Sequence, residues 1–327
     1  MSRTIIARAP TRLDFGGGWT DVPPYAEREG GAVCSVAIAR YATATVATRE
    51  RTTARSPSAT PADDRLIAAA LRRAAVPDAD ARLVSDFPVG AGLGGSSAAG
   101  VALCGALAEL AGAPLSRLEL AALSRETEVD ELGVAGGYQD HVAAAFGGAI
   151  LLTIAGTDLQ VDQIALSDHT CAELARRSVL VYTGESRISG DTILAVRDAY
   201  LAGERRVGTA LATMRALALE MARALRAEDL DGLGVLLGEH WSHQRALHPA
   251  IPTARIDAIV NAATRSGALG AKALGASGGG CVLAIAEAGR EEELAAGLAL
   301  LGDRLAFTVD GKGFDVLAVL NGENTSE

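Results

Sequence analysis

This 327-residue chain has no basic excess, no cysteine framework and no long apolar run, and each absence removes a class of function. Lysine and arginine number 30 against 40 aspartates and glutamates, a net charge of −10. A general nucleic-acid or anionic-membrane binder needs a basic face, so neither partner is expected, although a nucleotide needs only a local site. Cys34, Cys104, Cys171 and Cys281 are widely spaced and form no C-x-x-C pair. That argues against a disulfide framework and a zinc site, and for a reducing compartment. No apolar run approaches the roughly 20 residues that span a bilayer. The opening Met-Ser-Arg-Thr-Ile-Ile-Ala-Arg lacks the apolar core of a signal peptide. A cytoplasmic location is the expectation. No internal repeat or low-complexity linker marks a domain boundary.

What is present suits a globular enzyme: 49% hydrophobic and 21% charged residues. The central feature is Pro88-Val-Gly-Ala-Gly-Leu-Gly-Gly-Ser-Ser-Ala-Ala-Gly100. An apolar run over 81–87 leads into it as a strand, and an Ala/Leu-rich run over 98–111 leaves it as a helix. Gly90, Gly92, Gly94 and Gly95 let a ligand approach the backbone closely. Ser96 and Ser97 stand at the helix start, where free N–H groups and the dipole favour an anion. This is a phosphate cradle. It is not a Walker A loop, because no Gly-Lys-Ser/Thr follows, and no clean first βαβ unit surrounds it as a dinucleotide fingerprint requires.

Around the cradle the pattern predicts a first strand at 3–8, a glycine loop at 16–21, and strands at 32–39 and 41–48. An exposed loop is expected over 51–62 and a helix over 63–75. Helices are expected at 116–132, at 191–224 with a break near Gly203, at 230–247, at 252–265 and at 291–300. Strands are expected at 149–154, 160–166, 179–182, 268–274 and 281–286, with two more at the end and a frayed tail over 322–327. Pattern alone places a boundary near residue 178. His240, His243 and His248 lie close together beside Trp241, and a helix surface explains them better than a metal site lacking a third convergent ligand.

Two further glycine-rich stretches accompany the cradle. Ala9-Pro10-Thr11-Arg12 runs through Gly18-Trp19-Thr20-Asp21, and Gly275-Ala276-Ser277-Gly278-Gly279-Gly280-Cys281 follows late in the chain. In this order the three resemble the motifs of the GHMP small-molecule kinases, over nearly the whole chain. Gly136-Gly137-Tyr138-Gln139-Asp140 with Phe146-Gly147-Gly148, Tyr182-Thr183-Gly184 to Arg187, and Gly267–Gly280 resemble the sugar anomeric kinases, with D-glycero-D-manno-heptose 7-phosphate kinases and fucokinase domains closest.

The resemblance implies an α+β fold of two lobes, 1–178 and 179–327, with the active site in the cleft between them. It implies ATP and Mg²⁺ as cofactors and a sugar or sugar phosphate as substrate; oligomeric state is not readable. Asp140 matches the catalytic carboxylate that accepts the proton of the sugar hydroxyl, and Arg12 the basic residue beside it. Gly90, Gly92, Leu93, Gly94, Gly95, Ser96, Ser97 and Ala98 match the nucleotide loop. Glu128, 12 residues before Asp140 (140 − 128), matches the magnesium carboxylate. Ser96 is the better hydroxyl ligand, but Gly95 occupies the first serine position of the relatives' Gly-Leu-Gly-Ser-Ser, which leaves Ser96 and Ser97 both open. Substrate contacts fall on Gly17, Gly18, Trp19, Thr20, Asp21, Tyr138, Arg187, Gly278 and Gly279. Trp19 either stacks on a pyranose or packs in the core. A substrate phosphate needs cations, and Lys272, Lys312 and Arg187 are available; Arg187 equally suits a structural ion pair. An unphosphorylated hexose or deoxysugar is the alternative substrate. A non-catalytic sugar sensor is disfavoured because both carboxylates are present. Decarboxylation of a phosphorylated mevalonate is disfavoured by the Trp-Thr-Asp loop and the Gly-Gly-Tyr-Gln-Asp segment.

Overall fold

The first strand, β1 (Arg3–Gly16), changes character halfway along, and that change locates the site. The computed structural model describes residues 3–48, 61–74, 76, 78–185 and 190–321. Over its first half Ile5, Ala7 and Ala9 are buried and their neighbours half-exposed, the period-two alternation of a sheet with one covered face. From Ala9 to Gly16 every residue is buried, Arg12 and Asp14 included. After α1 (Tyr25–Glu29) comes β2 (Gly31–Thr48), which pairs with β1 and shows the same change in mirror image: Gly31–Ile38 buried, then alternation. The ladder steps from Pro10↔Tyr41 to Thr11↔Ile38, a bulge that accommodates a proline in a central strand.

The elements that follow are α2 (Pro61–Arg73), β3 (Ala79–Ser85), α3 (Gly95–Leu110), α4 (Arg117–Arg125), a π-helical turn over Glu126–Glu131, α5 (Gln139–Phe146), β4 (Ala149–Ala155) and β5 (Asp158–Ile164). Next come α6 (Asp168–Arg177), β6 (Ser178–Tyr182), α7 (Gly190–Leu201), α8 (Arg205–Arg226), α9 (Leu230–Gln244) and α10 (Ala254–Arg265). The chain closes with β7 (Ala268–Ala273), β8 (Cys281–Ala286), α11 (Glu291–Leu298), β9 (Asp303–Arg304) and β10 (Asp315–Asn321).

One six-stranded sheet runs β10-β1-β2-β4-β5, with β3 also on β2; a four-stranded sheet runs β7-β8-β6-β9. Every pairing is antiparallel. The outer half of the large sheet packs Ile5, Ala7, Ala44 and Val46 against Leu103 and Leu107 of α3 and Val142 of α5. Its inner half packs Leu13, Phe15, Val36 and Ile38 against Met221 of α8, Leu237 of α9 and Leu283 of β8. The second lobe therefore covers the free face of β1 and β2, which is why burial there becomes continuous. None of the helices among the described residues is long and apolar enough to cross a membrane.

The pattern stops β1 at residue 8, ahead of Ala9-Pro10, whereas the strand runs on to Gly16 because the bulge opposite Pro10 absorbs the proline. The two strands expected over 32–48 are one bulged strand. Helix α6 was not expected: its buried side chains are Thr170, Leu174 and Arg177, a single apolar residue and so no hydrophobic stripe. The break near Gly203 is present between α7 and α8. Residue 178 marks the passage from α6 into β6 and the second sheet. Residues 315–321, assigned by pattern to the second half, form the edge strand of the first sheet on β1. Most of the loop expected over 51–62 and the tail 322–327 lie outside the described residues, while Pro61 already begins α2.

Just before β10, Phe314 packs against α3 at Gly105, where an added Cβ would come 2.2 Å from the ring. Alanine is favoured over glycine in a helix interior by about 1 kcal/mol, so a loss there reports the contact. Gly105→Ala is expected to destabilise by about 1–3 kcal/mol. In a Phe314→Ala background the same change is expected to become neutral or stabilising, as urea denaturation would measure. An equal effect in both backgrounds contradicts the packing.

Candidate active site

The cradle is built by close backbone approach. Gly90, Gly92 and Gly94 have φ of 72°, 73° and 73°. Gly94 precedes α3, whose first turn carries no acidic residue and whose N-cap has no side-chain bond, leaving N–H groups for an anion. On one side β1 grips the loop: Arg12 N donates to Leu93 O (3.0 Å) and Arg12 Nη1 to Gly92 O (2.6 Å). On the other side lies the third glycine loop. Cys281 N donates to Ala91 O (2.8 Å), and a Cβ on Gly92 would come 2.8 Å from Leu274 O. That loop is itself held by Gln244, fully buried in α9, whose Nε2 donates to Gly275 O (3.0 Å) and Ser277 Oγ (2.9 Å). Gly278 N donates to Ile251 O and Gly280 N to Glu185 O, both at 2.8 Å, while Gly279 lies against Glu185 O.

At Gly95 a Cβ would come 2.3 Å from the Phe87 ring. Phe87 fills the space a serine side chain would need, which is the physical counterpart of the missing first serine. Of the next two, Ser96 is exposed and Ser97 is buried, with Ala98 buried behind them.

Asp140 is the second residue of α5. Asp21 anchors the start of that helix: Tyr138 N and Gln139 N donate to its Oδ2 at 2.8 and 2.9 Å. Arg12 then fixes Asp140 itself, Nε at 2.8 Å and Nη2 at 2.7 Å from the same oxygen, Oδ1. The Arg12 side chain is 3% exposed and that of Asp140 27%, so the pair opens to solvent through the carboxylate. A Cβ on Gly94 would come 3.2 Å from Asp140 Oδ2, so the carboxylate rests directly on the cradle. Burial raises the Asp21 carboxyl to about 6, against the pull of the two backbone N–H groups, and the Asp140 charge adds to the rise.

Glu128, in the π-helical turn, reaches the same helix start. Ser97 Oγ donates to its Oε2 (3.0 Å), and the Ser96 hydroxyl, one residue earlier, is near enough to favour its charged form. Burial raises the Glu128 carboxyl while both serines pull it down. His141, 3% exposed, places Nε2 3.3 Å from that same oxygen and from Ser97 Oγ, and Ser124 Oγ lies 2.9 Å from its Nδ1. Burial lowers the His141 imidazole to about 4, so it is neutral near pH 7. A carboxylate and hydroxyls beside an anion cradle are the oxygen donors a hard divalent cation takes, with phosphate and water completing its shell.

The first glycine loop lies next to Asp140. A Cβ on Gly18 would meet Asp14 Oδ2 at 2.5 Å and Gln139 Nε2 at 2.9 Å. Gly17 N donates to His240 Nε2 (2.9 Å), and Thr20, fully buried, donates to Gly17 O (2.7 Å) and accepts from Ala32 N (3.1 Å). Thr20 is thus a brace inside the loop. Trp19 is 6% exposed and packs in a cluster with Tyr25, Leu211, Met214 and Trp241, which favours the packing alternative over sugar stacking. Tyr138 lies beneath the Arg125 guanidinium, 4.0 Å from its ring centre.

Two of the three cations considered for a substrate phosphate are placed elsewhere. Lys272 is wholly buried and gives its protons to Asp14 O (2.9 Å), Asp14 Oδ2 (3.1 Å) and Phe15 O (3.3 Å). Lys312 sits in the segment packed on Gly147, at the far end of α5. Arg187 lies outside the described residues. Asp14, Gln244 and His141 were given no role from sequence. Asp14 alone left a usable signal, a second charge two residues after Arg12 and so on the same face of one strand.

Asp21 sets a pH test. Between about pH 4 and pH 6 the folded protein retains a proton that the unfolded chain has lost, so this group's contribution to stability falls as pH rises through that window. The displacement from 3.8 to about 6 corresponds to roughly 3 kcal/mol. Asp21→Asn keeps an oxygen for both backbone N–H groups without the buried charge. Its stability relative to the unsubstituted protein is expected to rise by up to that amount from pH 4 to pH 7 in urea denaturation. A difference independent of pH contradicts the burial argument.

Two family models match the chain: GHMP kinases N terminal domain over residues 64–148, and GHMP kinases C terminal over 221–302. The chain is 29% identical over 300 residues to the D-glycero-alpha-D-manno-heptose 7-phosphate kinase of Campylobacter jejuni, covering 85% of this chain and 88% of that one. It is 31% identical over 247 residues to a galactokinase of Mycobacterium tuberculosis, covering 67% and 68%. In three dimensions it is similar to a D-glycero-D-manno-heptose 1-phosphate kinase from Bacteriodes thetaiotaomicron, with TM-score 0.77 and 24% identity over 98% of this chain and 100% of that one.

Proposed function

The chain belongs to the GHMP kinase family, and from that premise we propose that it transfers the γ-phosphoryl group of ATP to the anomeric hydroxyl of a sugar, with a D-glycero-D-manno-heptose 7-phosphate-like acceptor favoured. The observation that carries this reading is the seating of Asp140 on the anion cradle by an arginine that also bonds the cradle.

Phosphoryl transfer asks a protein chiefly for positioning and electrostatics. The N–H groups of residues 90–98 receive the polyphosphate, with glycine admitting it close to the backbone. Asp140 accepts the proton of the attacking hydroxyl. Its Oδ1 already takes the Nε–H bond of Arg12 and lies against Nη2, so Oδ2, on the Gly94 side, is the receiving atom. The guanidinium holds that carboxylate in place and offsets charge gathering on the transferred group. Ser96 and Glu128 would hold Mg²⁺, which when bound neutralises charge on the phosphate oxygens. The loop of Gly17 and Gly18, together with Tyr138, Gly278 and Gly279, would face the sugar. Asp21 acts on it through α5.

The heptose-phosphate branch is supported by the 29% identity across most of both chains. The second reading, an L-fucokinase-like kinase of an unphosphorylated hexose or deoxysugar, is favoured by the burial of Lys272, which removes one cation from the phosphate's reach. Decarboxylation and a sensor without catalysis have no such support, since Asp140 and Glu128 both reach the cradle.

Asp140→Asn is expected to lower kcat by about 10²–10⁴-fold while leaving the nucleotide Kd nearly unchanged in calorimetry. Retention of more than about a tenth of the activity overturns the base assignment. An ADP-release screen over free sugars and sugar phosphates, with phosphorus NMR of the product, distinguishes the two acceptors. A new ester away from the anomeric carbon overturns the sugar-1-kinase reading.

A further inference from the structure

Behind the cradle lies a buried polar chain that phosphoryl transfer does not itself require. Gly100 in α3 lets α4 approach so closely that an added Cβ would come 2.5 Å from Ser124 Oγ. Ser124 thereby reaches His141 Nδ1 (2.9 Å), and His141 Nε2 reaches Glu128 Oε2 and Ser97 Oγ, each at 3.3 Å. Both His141 and Ser124 are buried from solvent.

We propose that His141 is a positioning residue that locks Glu128 to Ser97 from behind, so that Ser96 is the hydroxyl offered to a divalent cation. The inference rests on the kinase reading above. An ionised carboxylate only accepts hydrogen bonds, so the Nε2 facing Glu128 carries the proton. Nδ1 of the neutral ring is then the acceptor for the Ser124 hydroxyl. Ser97 gives its own proton to Glu128 at 3.0 Å and stands within reach of the same Nε2–H. Its bonding capacity is directed inward, and it is 5% exposed. Ser96, one residue earlier on the same turn, is exposed, so its hydroxyl is open to the cradle. Because His141 follows Asp140 in α5, one short helix anchored by Asp21 sets both the proton acceptor and the metal carboxylate.

Outer-sphere partners of this kind hold a ligand carboxylate in one orientation, and their loss costs about 10–100-fold in metal affinity. The test uses the full chain and a non-hydrolysable ATP analogue. Mn²⁺ binding is followed by electron paramagnetic resonance, and metal-free analogue binding by calorimetry. His141→Leu is expected to weaken Mn²⁺ by about 10-fold or more while leaving metal-free analogue affinity unchanged. His141→Gln, whose amide supplies both a donor and an acceptor, is expected to restore most of the loss. Ser96→Ala is expected to lose more Mn²⁺ affinity than Ser97→Ala. If His141→Leu does not fold, Ser124→Ala carries the test with a smaller loss in the same direction. Mn²⁺ affinity unaltered by the folded variant overturns the positioning role, and a larger loss from Ser97→Ala overturns the serine assignment. An unsubstituted protein that binds no Mn²⁺ in the presence of the analogue overturns the kinase reading and this inference together.

Discussion

A guanidinium buried between two lobes holds the candidate site together. Arg12 donates to Asp140, to Gly92 O and, through its main chain, to Leu93 O, so one residue ties β1, α5 and the anion cradle. Removing one partner of a buried ion pair leaves an uncompensated charge, which costs far more than the pair itself contributes. The same logic repeats one turn of pleat away, where Lys272 from the second sheet reaches Asp14 and two main-chain carbonyls of β1. Two cations thus fasten the inner half of a single strand, Arg12 to the site and Lys272 to the opposite lobe.

Glycine permits the rest. The cradle and the Gly275–Gly280 turn meet backbone to backbone, with Gly92 against Leu274 O and Gly280 against Ala91 O. Side chains at those positions would hold the lobes apart and withdraw the N–H groups from an anion. Gly95 answers a different need, since its missing side chain makes room for Phe87. A departure from the family's serine is therefore compensated by an aromatic ring rather than left as a gap.

Buried acids are distributed by environment. Asp140 is paired and partly open, Asp21 is enclosed and raised to about 6, and Glu128 is enclosed among hydroxyls and a neutral imidazole. Three carboxylates on neighbouring elements thereby sit in three different environments. The differences come from neighbours contributed by α3, α4, α5 and β1, none of them adjacent in sequence to the acid they tune. An overall charge of −10 carries no information about this local balance.

The cradle, its strand and helix, and the order of the three glycine loops are legible in the amino-acid order, because turn residues and apolar periods act over a few residues. That order also marked Asp140 and Glu128 as candidates through the motifs they belong to. It was blind to the continuation of β1 past residue 8, since Pro10 supplies no ladder donor and only the bulge against β2 lets the strand run on. It was equally blind to α6, whose single buried leucine leaves no stripe, and to the return of β10 to the first sheet. Tertiary structure alone decided that Trp19 is core, that Lys272 fastens lobes, and that His141 stands behind Glu128. Each depends on partners between 13 (141 − 128) and 258 residues away. Burial, close approach and hydrogen-bond geometry exist only once those partners have been brought together.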